Sequence, residues 1–315
     1  MASQASRHRA PRPATIEATD PRQPPTVPSC TQRQQLAERL RSVALEAGRQ
    51  AAGLLRENFR TGIGAEHKTN THDLVTELDR RSQLLLTREL LSRCPDSWVL
   101  GEETVEDLPT GDPSGPIQWI VDPLDGTSNF VHGIAFFCVS IAAAIDDELV
   151  ASVVIDPVTG DEFSANLQGA FLNGQPLRPR PRPGQQHANL MTDYPSAEAI
   201  AADGRIALDL FGQWVLDFAT VRRKVSAAMA LAHVAAGWAD ATIGFDTKAW
   251  DVAAGAHLVR MSGGSYRGLH HGGEPGPDHL APGFIAQGPG ADYPSLRTAA
   301  QRIAEHRSAA ARHGR

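Results

Sequence analysis

The chain has 315 residues, 41% hydrophobic and 21% charged, which suits one large domain or two close-packed halves. A net charge of −6 leaves no basic footprint for nucleic acid, and no apolar run approaches the length that spans a bilayer. Three widely spaced cysteines, Cys30, Cys94 and Cys138, form neither a disulfide framework nor a zinc pattern, so a reducing cytoplasmic setting is expected.

Residues 1–30 are rich in Pro and Arg with almost nothing apolar to bury, and disorder is expected there. The basic start suggests a transit peptide, but no apolar face develops and Glu17 and Asp20 follow soon after. Leu36, Leu40, Val43, Ala47, Ala51, Leu54 and Leu55 then recur mostly at spacings of three and four, which predicts a helix over 34–59. Gly62 and Gly64 break it. A second helix is predicted over 79–93, its core face including Leu84, Leu85 and Leu90. On residue type alone, Asp73 reads as a helix cap and Lys68 as a solvated loop charge.

Cys94-Pro95 ends that helix, and a strand over 97–100 runs into Gly101-Glu102-Glu103, a pair of acids that usually means solvated surface. Trp119-Ile120-Val121 reads as a buried strand ending in Asp122-Pro123-Leu124-Asp125-Gly126-Thr127-Ser128-Asn129, with Pro123 turning the backbone. Two carboxylates three residues apart, with no base between them, repel each other, and a hard divalent ion such as Mg²⁺ is the natural compensation. Gly126 allows close approach to a ligand, and Thr127 or Ser128 can cap a helix whose free N–H groups suit phosphate. A plain Asp/Pro/Gly turn is the competing reading.

Strands over 137–145, 149–155 and 162–165, then a turn at Gly169-Ala170-Phe171-Leu172-Asn173-Gly174, suggest a mainly antiparallel sheet. Alternating Arg and Pro over 178–184 read as an exposed connector between halves, with a docking stripe as the alternative. Beyond it the rhythm is α/β, with helices over 226–237, 250–261 and 295–306 and strands over 242–245 and 284–286. Asp251, in Trp250-Asp251-Val252-Ala253-Ala254-Gly255, is on composition alone a first-turn acid favoured by the helix dipole.

WIVDPLDGTSNFVHG, with DLVTELD, GEE, GAFLNG and WDVAAG, resembles the signatures of the inositol monophosphatase family, Mg²⁺-dependent and lithium-sensitive phosphomonoesterases. The resemblance covers about 34–305 and implies an α/β fold, a five-layered α/β/α/β/α sandwich. Its first subdomain, 31–183, would carry the metal and phosphate site; the second, 184–306, would complete it, and 307–315 would be a tail. It further implies two or three Mg²⁺ ions. Asp122 would bridge two of them, Glu102 and the Leu124 carbonyl would hold one, and Asp125 and Asp251 the other. Glu102 would also face a third, looser ion supported by Asp73. Glu102 and Thr127 would orient and deprotonate the attacking water, the amides of Gly126 and Thr127 would hold phosphate oxygens, and Lys68 would lie over the site.

The alcohol side departs from the family. The acid commonly found seven residues before the second signature's Asp is Gly244 here, with Asp246 two residues on. The family's G-T-A segment aligns with Ser226-Ala227-Ala228, which puts Ala228 at the pocket edge. Asn129, Phe130 and His132 favour the inositol-phosphatase branch. The substrate implied is inositol 1-phosphate or a related cyclitol or sugar phosphate. Histidinol phosphate is the alternative, and a catalytically weak interaction module of the same fold is the reading of another class. A homodimer is expected, with no nucleic-acid or membrane partner.

Overall fold

The computed structural model describes residues 29–62, 66–67, 74–105, 108–178, 180–271 and 276–313. Helix α1 (Cys30–Asn58) begins upstream of its apolar stripe because Ser29 and Gln32 form a capping box, each side chain accepting the other's backbone N–H. It buries Leu40, Val43, Ala47, Ala51 and Leu55. The short strands β1 (Glu66–His67) and β2 (Leu74–Val75) pair antiparallel, and Lys68 and Asp73 between them lie outside the described residues.

Helix α2 (Glu77–Arg93) is capped by Thr76 and Asp79. Its buried face is rotated from the predicted one: Leu78, Leu86 and Leu90 are buried, whereas Leu84 and Leu85 are only partly so. Polar side chains occupy the rest of that face, because they have partners there. Ser82 Oγ donates to the Pro123 carbonyl at 3.0 Å, and Gln83 donates to Thr87 at 3.1 Å.

The first sheet contains β3 (Ser97–Gly101) and β4 (Ile117–Asp125), then, after α3 (Thr127–Val131), β5 (Cys138–Ile145), β6 (Glu148–Ile155), β7 (Glu162–Asn166), β8 (Gly169–Leu172) and β9 (Gln175–Pro176). These seven strands lie in sequence order, antiparallel except for the parallel pair β3–β4. Pro123 was expected to end its strand, but it sits inside β4. Pairing with β3 stops at Val121, and the register with β5 shifts between Asp122 and Asp125, so Pro123 occupies an irregularity where no ladder donor is required. In a regular strand, residues three apart point to opposite faces. The shifted register lets Asp122 and Asp125 line one cavity.

The second half contributes β10 (Asn189–Thr192), α4 (Ala197–Asp203), α5 (Arg205–Asp217), β11 (Thr220–Arg223), α6 (Ala227–Ala236), β12 (Ala241–Phe245), α7 (Ala249–Met261), β13 (Ser265–Gly268), β14 (Gly283–Gln287) and α8 (Pro294–His313). Its five strands run β11-β10-β12-β14-β13, with β10 parallel to both neighbours and the other pairs antiparallel. Helix α8 continues well past residue 306, since Arg307 is held by Asp203 and Asp246.

The layers stack as the resemblance implied. Helices α1 and α2 cover the outer face of the seven-stranded sheet over Trp119, Phe137 and Ile141. Helices α6 and α7 fill the space between the two sheets. The outer face of the five-stranded sheet is covered by α4, α5 and α8 around Trp214, Tyr293 and Leu296. The Arg-Pro connector is not wholly exposed: Arg182 donates to the Gly237 carbonyl at the C-terminus of α6, at 3.3 Å. Gly237 and Gly288 make the slot, since a Cβ on either would come within 2.6 or 2.3 Å of that side chain.

Candidate active site

The C-terminal ends of β3, β4, β10 and β12 meet the N-termini of α3, α6 and α7 around a cavity of about 280 Å³. Crevices outside the carboxyl ends of strands are where α/β sheets place ligands. Glu102, Asp122, Asp125, Asp193, Asp246 and Asp251 all line it, and among the described residues none that lines it is basic.

Four of these acids are tied to the backbone. Asp122, 2% exposed, accepts from the Leu124 N–H at 3.0 Å. Asp125 Oδ2 accepts from Ser226 Oγ and from the Ala228 N–H, both at 2.7 Å, so an acid from the first sheet caps a helix of the second half. Asp251 accepts from the Lys248 N–H at 2.7 Å in the first turn of α7. Asp193 accepts from the Val225 N–H at 2.8 Å and holds Val225 at φ 54, a left-handed angle unusual for a β-branched residue. Asn129 Nδ2 lies 2.7, 2.6 and 2.9 Å from the carbonyls of Phe136, Lys224 and Val225, stitching α3 to the same loop.

Burial and mutual repulsion hold these groups away from ionisation. Burial, then the charges of Glu102, Asp125 and Asp251, push Asp122 well above the ordinary carboxylate range. Asp125 rises to about 7, chiefly through burial and then the charges of Asp193 and Glu102, against the pull of Ser226 and Ala228. Asp251 rises to about 8 by burial, with Asp125, Glu102 and Asp193 adding to it. Asp193 is raised by burial as well. Acid-only donors joined by a backbone carbonyl fit a hard divalent cation, not a thiolate- or imidazole-loving one. Among the described residues no three such side chains already form a group able to hold an ion.

Thr127 Oγ1, expected to work with Glu102, has a further partner in Asp79, to which it donates at 2.9 Å. The Leu124 carbonyl lies 3.1 Å away as a second acceptor. A hydroxyl has one hydrogen, so with Asp79 taking it the Leu124 carbonyl is left for a cation. Asp79 Oδ2 meanwhile accepts from Thr76 N–H and Oγ1, at 2.7 and 2.6 Å, and its pKa is raised, first by burial. Asp79 closes the DLVTELD string and was read only as the start of a helix.

Gly126 turns β4 into α3 at φ 97, and it lines the cavity with Thr127 and Ser128. Ala228 is buried behind Asp125, while Ala227 forms the wall and Ser226 supplies a hydroxyl there. Gly244 and Asp246 both line the cavity. Asp193 was missed altogether; its only signal was an acid at the end of a short apolar run, Leu190-Met191-Thr192.

A five-layered sandwich with an acid-lined cleft between its sheets defines a class of phosphatase fold. Residues 36–311 match the inositol monophosphatase family, and the chain belongs to it. It is 36% identical over 265 residues to Nus factor SuhB of Pseudomonas aeruginosa, covering 82% of this chain and 95% of that protein. To the inositol-1-monophosphatase of Rhizobium meliloti it is 38% identical over 205 residues, 64% of this chain and 75% of that one. The solved structure of extragenic suppressor protein suhB from Bartonella henselae matches with a TM-score of 0.71 at 29% identity, over 84% of this chain and 97% of that one. Family and relatives support a phosphatase of the inositol monophosphatase type. Among the described residues, no helix is long and apolar enough to cross a membrane.

Proposed function

We propose that the chain is a Mg²⁺-dependent phosphomonoesterase acting on a small polyol phosphate, inositol 1-phosphate or a related cyclitol or sugar phosphate. The observation that carries this is the gathering of Glu102, after β3, with Asp122 and Asp125 of β4 and Asp251 of α7 around one cavity, where burial above all raises the pKa of Asp122, Asp125 and Asp251. Asp122, Glu102, Asp125, Asp251 and the Leu124 carbonyl would hold Mg²⁺, with Asp73 supporting a further, looser ion. Bound there, Mg²⁺ supplies positive charge against the phosphoryl and leaving oxygens. The amides of Gly126 and Thr127 receive phosphate oxygens as charge builds on them. Thr127 Oγ1, donating to Asp79, keeps its lone pairs for the attacking water, whose proton passes through the hydroxyl to Asp79. Glu102 shares in orienting that water, and Lys68 lies over the site.

Phosphate release over a panel of phosphomonoesters tests the reading. Turnover is expected with Mg²⁺ and should fall in millimolar lithium, whereas full turnover in excess chelator refutes it. The kinship with a protein named Nus factor SuhB favours a second reading, an interaction module of the same fold. Retention of Asp79, Glu102, Asp122, Asp125, Thr127 and Asp251 weighs toward catalysis, because binding alone does not require them all. A cytoplasmic homodimer completes the proposal, and a monomeric mass in solution would remove its second half.

A further inference from the structure

One wall of the cavity is the segment from Gly244 to Thr247, where β12 passes toward α7. Gly244 brings no side chain, and the Phe284 ring fills the place where one would start, 2.5 Å from an ideal Cβ. Asp246 follows at φ 61, an angle few non-glycine residues adopt. It is fixed there by a two-pronged grip, Arg307 donating through NH1 to Oδ1 at 2.6 Å and through NH2 to Oδ2 at 2.8 Å. Arg307 is itself gripped from behind. Its Nε and NH2 donate to the buried Asp203 at 2.9 and 2.8 Å, and Asp203 also accepts from the Tyr194 hydroxyl at 3.1 Å. The guanidinium is therefore shared by two acids and belongs to α8, which no reading of the catalytic residues involves.

A carboxylate has about four acceptor sites, so the grip leaves Asp246 with capacity, and its side chain is 57% exposed. Thr247 stands beside it in the chain and on the same wall. Its Oγ1 is buried with no hydrogen-bond partner among the described residues, while its N–H donates to the Pro282 carbonyl at 3.1 Å. A buried hydroxyl without a partner is uncommon and calls for an explanation. A ligand hydroxyl supplies one.

We propose that Asp246 and Thr247 form the alcohol-reading subsite, taking two neighbouring hydroxyls of a polyol phosphate, with Arg307 as the positioning residue. The inference rests on the phosphatase reading and narrows its substrate class. Asp246 accepts from one hydroxyl, and Thr247 can accept from or donate to the next. Because Arg307 already compensates the charge of Asp246, the subsite suits a neutral diol better than an amino alcohol carrying an ammonium group. It takes over the role that an acid at position 244 would fill.

The test compares inositol 1-phosphate with p-nitrophenyl phosphate, whose alcohol carries no further hydroxyl, by the ratio of their kcat/KM values with Mg²⁺. The wild-type protein is expected to prefer the polyol. Thr247→Val and Asp246→Asn, which keep shape, should each lower the ratio roughly 10–100-fold, the range for losing a hydrogen bond to a buried or charged group. Arg307→Lys keeps the charge but loses the fork, and should raise KM for the polyol more than it lowers kcat. A purely structural arginine would lower Tm and leave the ratio unmoved, which overturns its positioning role. An unchanged ratio in folded Thr247→Val and Asp246→Asn proteins, or a wild type with no preference, overturns the subsite while leaving the phosphatase reading intact. No phosphate release from either compound overturns both.

Discussion

Stripped of divalent ions, the protein should lose stability as the pH rises from 6.5 to 8.5. In the folded state Asp125 keeps its proton up to about 7 and Asp251 up to about 8, whereas unfolded aspartates release theirs near 3.8. Above 3.8 the folded chain therefore binds more protons than the unfolded one, and stability falls until the folded pKa is passed. The buried histidines act in the opposite sense at lower pH. His233 is held down to about 4 and His257 to about 3, and His271 and His279 are lowered too, all first by burial, so their contribution rises with pH and levels off only about one unit above 6.5. Above 6.5 the carboxylates therefore dominate, opposed only by the last part of the histidine gain. At ~1.4 kcal/mol per proton per pH unit, Asp125 contributes about 1 kcal/mol across it and Asp251 about 2. The two acids together give about 3 kcal/mol, partly offset by the histidines, which corresponds to a Tm lower by roughly 2–5 °C for a fold of this size. Thermal unfolding in EDTA at the two pH values measures it. Mg²⁺, which binds ionised carboxylates only, should shrink or reverse the difference. A Tm in EDTA that is level across the window would refute the argument that burial and neighbouring charges keep these acids protonated.

Three further outcomes are expected. Thr127→Val removes the hydroxyl that connects water to Asp79 and should lower kcat about 10²–10⁴-fold, with Thr127→Ser far closer to wild type; steady-state kinetics that fail to separate the two would remove Thr127 from the mechanism. Val225→Gly should raise Tm, because a β-branched residue at φ 54 stores on the order of 1–3 kcal/mol that glycine does not, and an unaltered or lower Tm counts against strain there. Gly244→Ala should cost about 1–3 kcal/mol by overpacking Phe284. Pairing it with Phe284→Leu should cost less than the sum of the two single changes, and strict additivity in denaturant titrations would show that the contact is not felt.

Most of the architecture was legible because its signals are local. The period of α1, the β-branched runs of β5 and β6, and the glycine that closes α6 can each be read from neighbours in the chain. The buried face of α2 was not, since its orientation is decided by Ser82 reaching the Pro123 carbonyl, far away in sequence. The continuation of β4 through Pro123 was hidden for a related reason: proline rules apply to paired strands, and pairing there has already slipped. Strands β10 and β11 are short, and little in their composition marks them before the sheet exists. In the site, the motif string supplied the acids that touch the cavity but not the groups behind them. Asp79 looks like a helix start because it is one; its second oxygen reaches Thr127 only through the tertiary fold. Asp193 sits in no motif, and Arg307 lies in what composition marked as a tail.

Asp125 shows why the site and the fold cannot be separated. It ends a strand of the seven-stranded sheet, yet the two short hydrogen bonds to its Oδ2 come from the start of α6, in the other half. Those two bonds lower its pKa, while burial and the charges of Asp193 and Glu102 raise it more. The same carboxylate is therefore a cap that α6 needs and a charge that its surroundings resist. A divalent cation relieves the second without disturbing the first, because one carboxylate oxygen can face the ion while the other keeps Ser226 and Ala228. Asp251 repeats the arrangement at α7, with one oxygen on the Lys248 N–H. Both central helices thus begin at the cavity with an acid at their positive end. Filling the cavity with a cation should tighten the joint between the two sheets as well as prepare the chemistry.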